Sequence, residues 1–465
     1  MSATVSNPYA SLAEVGGRLR RREITSVEIT QQCLERIETI DHKLGAFLTL
    51  TADRALRDAE QADRELQRGV DRGPLHGIPI AVKDAFATKE VRTTANSRLY
   101  RDFIPTQNAA VVEHLVQGGA VMLGKLTMDE LGYGGPVVSD SLTPQPRNPW
   151  NLNHVTGGSS SGCGAAVAAG LCFGALGSDS GGSIRGPAAY CGIVGLKPTE
   201  GLVSRAGAIP LGLSLGENGP MARTAEDCAV LLKVIAGNGS NKLLPDGAID
   251  ATAPAKSVGV TGRRFGVPRD WIDPGNGVSE VVHAAFEESL DVLRTLGARI
   301  EDMPSAAFTD ARDVCSLITV TEKFALFADH LRSRPQDIGR PLRGKLYAGG
   351  LVGAADYITA QRARAILRDR INAVMSPLDG VLLPTVPAPA PLWEPDSDLT
   401  ATPNLMAVFN LVGLPAVTVP NGVTPDRLPL GLQVAGGRFD DLQILSFASA
   451  YESATHWGRQ VPTSY

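Results

Sequence analysis

The chain has 465 residues, 43% of them hydrophobic and 20% charged, enough apolar length for one extended core or two domains. A net charge of −5 supplies no basic footprint for nucleic acid. The opening MSATVSNPYASLAEV lacks a basic stretch followed by an apolar one, and no long uncharged apolar run is free of glycines, so neither a signal peptide nor a membrane span is expected.

Residues 9–70 read as helical: apolar Val27, Cys33, Leu34 and Ile37 recur at helical spacing after Ser26, and a second pattern runs from Ala52 to Leu66. This arm could pack on the main body or against another protomer, which allows a homodimer. The apolar run Ile78 to Val82 predicts a buried strand that delivers Lys83 into an interior site. Thr93 and Thr94 belong to a loop, followed by a helix over 109–117 and a strand over 120–123. Gly119 to Lys125 imitates a phosphate-binding loop, but Leu126 replaces the required hydroxyl residue and the interior is an apolar strand. Gly162-Cys163-Gly164 likewise lacks the rest of a dinucleotide fingerprint.

Two glycine-serine loops then bracket a run of small residues. The first, Gly157-Gly158-Ser159-Ser160-Ser161-Gly162, leads into Gly164 to Gly170, whose small side chains suit a helix lying tightly on a sheet. The second, Ser180-Gly181-Gly182-Ser183, stands before another helix, with the amides of Gly181, Gly182 and Ser183 free to converge as an oxyanion hole. A serine hydroxyl needs a base, and the seven histidines are scattered, only His154 lying near a serine loop. A lysine can serve if burial keeps it uncharged, and burial can lower its pKa from about 10.4 by about 3–5 units. Asp179 and Arg185 flank the second loop and read as a structural pair holding it.

Beyond the loops, Arg223 to Asp227 opens a helix carrying Val230, Leu231, Leu232 and Ile235, and residues 238–262 are turn-rich. A strand from Phe265, a helix over 281–296 and a strand over 298–302 form an α/β unit. Residues 306–375 are helical with basic surface positions. A strand over 380–385, a helix over 404–412, strands over 415–420 and 428–434, and a helix over 440–455 close the chain. The six cysteines show no metal or disulfide spacing and read as buried free thiols of a reducing, cytoplasmic compartment.

The strings TGGSSSGCGAAVAAG, from Thr156, and LGSDSGGSIRGPAAYCGIVGLKPT, from Leu176, closely resemble the amidase signature family of serine hydrolases. GIPIAVKD, ending at Asp84, and the C-terminal LVGLPAVTVP and LPLGLQVAG extend the likeness. The resemblance implies an α/β amidase signature fold: a single domain with a large mixed twisted sheet flanked by helices on both faces. Residues 1–70 form its helical arm, 71–465 the amidase domain, 72–223 the signature core and 306–375 a variable substrate-covering region. It places the nucleophile on Ser183, the bridging serine on Ser159, after a cis peptide bond, and the base on Lys83. An oxyanion hole falls on Ser180, Gly181, Gly182 and Ser183. Ser161 and Cys163 stand where the family usually shows Gly and Ser, outside the triad.

The segment Met128 to Gly134 resembles the region whose following residues line the acyl pocket, so Gly132, Tyr133 and Ser159 are candidate substrate contacts, although Tyr133 reads equally as a packing aromatic. No metal or cofactor is implied, and the expected partner is a small-molecule amide, with esters and carbamates as side substrates. The alternatives are the amidase subunit of a tRNA-dependent amidotransferase and a non-catalytic scaffold of the same fold. Gly186 stands where such subunits usually carry glutamine, and the string MDELGYGG departs from their usual continuation.

Overall fold

Strand Pro79–Lys83 (β2) is buried at every position, as its unbroken apolar run demands. In the computed structural model, which describes residues 7–133, 140–210, 212–237, 259–308, 310–394 and 404–463, it belongs to an eleven-stranded sheet. The other strands are Phe47–Leu50 (β1), Val121–Leu126 (β3), Gly174–Asp179 (β4), Val194–Lys197 (β5), Glu217–Ala222 (β6), Arg264–Val267 (β7), Arg299–Asp302 (β8), Gly380–Pro384 (β9), Ala416–Val423 (β10) and Pro429–Ala435 (β11). Their order is β1-β3-β2-β4-β6-β5-β10-β11-β9-β7-β8. β2 runs parallel to β3 and β4, whereas β4, β6, β5, β10, β11 and β9 pair antiparallel in succession, so the sheet is mixed as expected. Gly134 and most of the turn-rich 238–262 segment lie outside the described residues.

The expected helices form, with shifted ends. Ser26–Leu44 begins at Thr25, whose side chain and that of Glu28 close a capping box. The 9–70 stretch is not all helix, because β1 interrupts it and pairs antiparallel with β3. The arm packs on the body: Val15, Ile29 and Ile37 share one apolar cluster with Val82 and Leu176. The variable region forms helices Ala311–Ser333, Arg340–Gly349 and Ala354–Met375. The first two meet the signature core in a smaller cluster that joins Phe327, Leu331, Leu342 and Leu346 to Met128, Leu131 and Ile209.

Two features aim the serine loops. β2 and β4 are parallel neighbours, with Ala81 opposite Ala175 and Val82 opposite Leu176, so Lys83 and Asp179 emerge at the same sheet edge. Helix Ser161–Ala168 is buried along its whole length. A side chain at Gly162 would come within 2.5 Å of the Ala46 carbonyl oxygen, which is why this helix is built of small residues. Among the described residues no helix is long and apolar enough to cross a membrane.

Candidate active site

Lys83 ends β2 with no exposed surface. Its Nζ lies 2.7 Å from Ser159 Oγ, 3.0 Å from Ser160 Oγ and 2.9 Å from Ser178 Oγ. Ser160 Oγ also reaches the Ser178 carbonyl at 3.2 Å, which takes the Ser160 proton. Ser160 can then only accept from Lys83, and an uncharged amine that donates to Ser160 and Ser178 keeps its lone pair for the Ser159 hydroxyl. Burial pushes the Lys83 amine down to about 8, against the pull of Cys163, Asp129 and Asp179. Ser160 and Ser178 were legible only as members of serine-rich loops, since nothing in the sequence ranks one loop serine above another.

The lysine of the phosphate-loop look-alike has a different task. Lys125 is buried on β3, donates to Phe86 O and Thr93 Oγ1 at 2.7 Å each, and pairs with Asp84 at 3.2 Å. Asp84 accepts the Thr94 amide at 2.9 Å and the Thr94 hydroxyl at 2.5 Å. This network fixes the chain immediately after Lys83. His154 is turned away from the serines, its Nδ1 donating to Ala390 O at 2.7 Å.

The peptide bond Gly158–Ser159 is cis. The two serine loops are tied by the Ser160 amide, which donates to the Ser183 carbonyl at 3.1 Å. Ser183 is half-buried, and among the described residues its hydroxyl has no hydrogen-bond partner. The geometry therefore joins Lys83 to Ser159 directly and brings Ser183 to the neighbouring loop without a side-chain bond.

One expectation for the second loop needs correction. The Gly182 amide is not free, because it donates to Asp179 Oδ1 at 2.6 Å. Oδ2 of the same carboxylate accepts the Ile184 amide at 3.0 Å, so Asp179 curls the loop around itself. The amides of Ser180, Gly181 and Ser183 have no acceptor among the described residues. Asp179 and Arg185 form the expected pair at 3.0 Å with neither side chain exposed. Arg185 also donates to Met406 O at 2.9 Å, Gln433 Oε1 at 2.7 Å and Asn410 Oδ1 at 2.6 Å. Burial would raise the Asp179 carboxyl, but Arg185 and the loop amides together hold it far below the ordinary carboxylate range.

Gly132 and Tyr133 lie at the docking face of the variable region. Lys323, buried on helix Ala311–Ser333, donates to the carbonyls of Leu131 and Gly132 at 3.2 and 3.1 Å. Its Nζ stands 4.4 Å above the centre of the Tyr133 ring, and Lys345 Nζ 4.9 Å from it. Tyr133 thus packs against two amines. A cavity of about 250 Å³ opens beside the relay, floored by Ser178, Ser180 and Glu217 and walled by Ala85, Ala208 and Ile209.

The family model for Amidase matches residues 28–445. The chain belongs to the amidase signature family. A curated amidase-signature relative, a glutamyl-tRNA(Gln) amidotransferase subunit of Methylococcus capsulatus, is 38% identical over 97% of this chain and 98% of its own. Peptide amidase from Stenotrophomonas maltophilia superposes with a TM-score of 0.83 at 31% identity, covering 97% of this chain and 98% of that one. The glutamyl-tRNA(Gln) amidotransferase subunit of Thermotoga maritima gives 0.79 at 32%, covering 96% and 95%. This amidase-signature chain therefore stands about equally near a peptide amidase structure and an amidotransferase subunit structure.

Proposed function

We propose that the chain hydrolyses a carboxylic amide through an acyl-enzyme on Ser183. The observation that carries this reading is a fully buried lysine amine 2.7 Å from the hydroxyl of Ser159. Uncharged Lys83 accepts the Ser159 proton as Ser159 accepts that of Ser183, and Ser183 Oγ attacks the carbonyl carbon. Nucleophile contacts commonly tighten when substrate binds, and the step from Ser183 to Ser159 belongs to that state. The amides of Gly181 and Ser183 supply the oxyanion donors, and Gly182 serves the loop instead. Lys83 returns its proton through Ser159 to the leaving nitrogen, which makes the amine a viable leaving group. Water then attacks the acyl ester through the same relay and releases the acid. The cavity above Ser178 and Ser180 houses one half of a small or aryl acyl amide. The same acyl transfer extends to esters and carbamates.

A second reading is favoured by the names of the curated relatives: the chain is the glutamine-hydrolysing subunit of a tRNA-dependent amidotransferase, passing ammonia to a partner protein. The MDELGYGG string and Gly186 argue against it. Anilides, primary amides, esters and glutamine offered to the purified chain separate the two. The first reading expects turnover of anilides or primary amides without a partner, abolished in Ser183→Ala. Glutamine hydrolysis that appears only with co-expressed partner proteins would replace it with the second. A folded chain that turns over none of these and is not labelled by a fluorophosphonate would overturn both and leave a scaffold.

A further inference from the structure

We propose that Asp129 is a positioning residue for the proton relay, bracing the loop that carries Ser159 and supplying a negative charge that sets how readily Lys83 holds its proton. The inference rests on the relay reading above. The Asp129 amide donates to the Ser159 carbonyl at 3.2 Å. Gln145 Nε2 donates to Asp129 Oδ1 at 3.1 Å and reaches the Gly157 carbonyl at 3.4 Å, so side chain, loop and glutamine form one clamp. The carboxylate presses directly on Gly158, where an added Cβ would lie 1.9 Å from Oδ2.

Oδ2 is buried and has no hydrogen-bond partner among the described residues. An ionised oxygen left without a donor in such a place is costly unless positive charge faces it. The amines that do so are Lys83 on β2, Lys323 on helix Ala311–Ser333 and Lys345 on helix Arg340–Gly349. Lys83 itself is faced by Asp129, by Asp179 at the end of β4 and by Cys163 on helix Ser161–Ala168. Burial raises the Asp129 carboxyl, opposed by the Gln145 hydrogen bond and these amines. Of the two carboxylates facing Lys83, Asp179 is committed to Arg185 and the nucleophile loop. Asp129 is left as the one whose charge acts on the relay.

The test follows the rate of fluorophosphonate labelling of Ser183 against pH, a readout that needs no natural substrate. In wild type the rate rises as Lys83 loses its proton. Asp129→Asn and the smaller Asp129→Ser remove the charge, so the ammonium form is less stable and the rise is expected about one pH unit lower. Gln145→Met keeps the charge and loosens the clamp, so labelling slows without that displacement. A rise that stays in place or moves upward in both Asp129 variants overturns the proposal. So does failure of both to fold, judged by near-ultraviolet circular dichroism, which would make Asp129 part of the scaffold. A wild type without the rise, or a Lys83→Met variant that keeps it, would instead refute the relay itself.

Discussion

Lys83→Ala is expected to lower amide turnover by about 10²–10⁴-fold, the usual contribution of a positioned general acid-base. The loss should be smaller for an ester of the same acyl group. Attack by Ser183 needs a proton acceptor for either substrate, but an amine also needs a proton to leave, whereas an alkoxide of moderate basicity leaves with less help. Removing Lys83 therefore costs the amide at two steps and the ester chiefly at one. Lys83→Met, closer in volume, guards against collapse of the pocket around Ser159, Ser160 and Ser178. Paired rates on an anilide and an aryl ester check this, and equal loss on both would contradict the role given to Lys83.

Arg185→Met is expected to destabilise the fold by about 3–5 kcal/mol, because it leaves a buried carboxylate without its countercharge. Neither partner is exposed, and Asn410, Gln433 and the Met406 carbonyl lose a donor at the same time. Asp179 also anchors the Gly182 and Ile184 amides, so the loop carrying Ser183 loosens and labelling at Ser183 should slow. The sign with pH follows from the depressed carboxyl of Asp179. Its contribution is complete above the ordinary aspartate range and is lost only in strong acid, as pH falls through the lowered folded value. Denaturant unfolding at neutral pH measures the difference directly, and a change below about 1 kcal/mol would show that the pair does not hold the loop.

Much of the fold was legible because the runs before Lys83 and near the C-terminus are apolar and continuous. Two strands were not. Phe47–Leu50 is four residues long between two strongly helical patterns, and its strand character comes from pairing with distant β3. Glu217–Ala222 contains Asn218, Gly219 and Pro220, a composition that argues against a central strand, yet β4 and β5 pair with it on both sides. In the site, Lys83, Ser159 and Ser183 were visible through their motifs. The commitment of the Gly182 amide to Asp179 was not, since a loop's free donors depend on which way its backbone curls. Asp129, Gln145 and Lys323 were likewise hidden, because each reaches the site from a separate segment.

The claim on which the account stands is that Lys83 works as an uncharged base. The most direct measurement is the pH dependence of kcat/KM for an amide substrate, which reports ionisations of the free protein. The account predicts a rate that rises with pH and levels off above an apparent pKa of about 8, matching the lowered Lys83 amine. Lys125 titrates in the same range, so the rise must also vanish from the residual activity of Lys83→Met. A profile already flat from pH 6 upward, or a rise that survives in Lys83→Met, would contradict it.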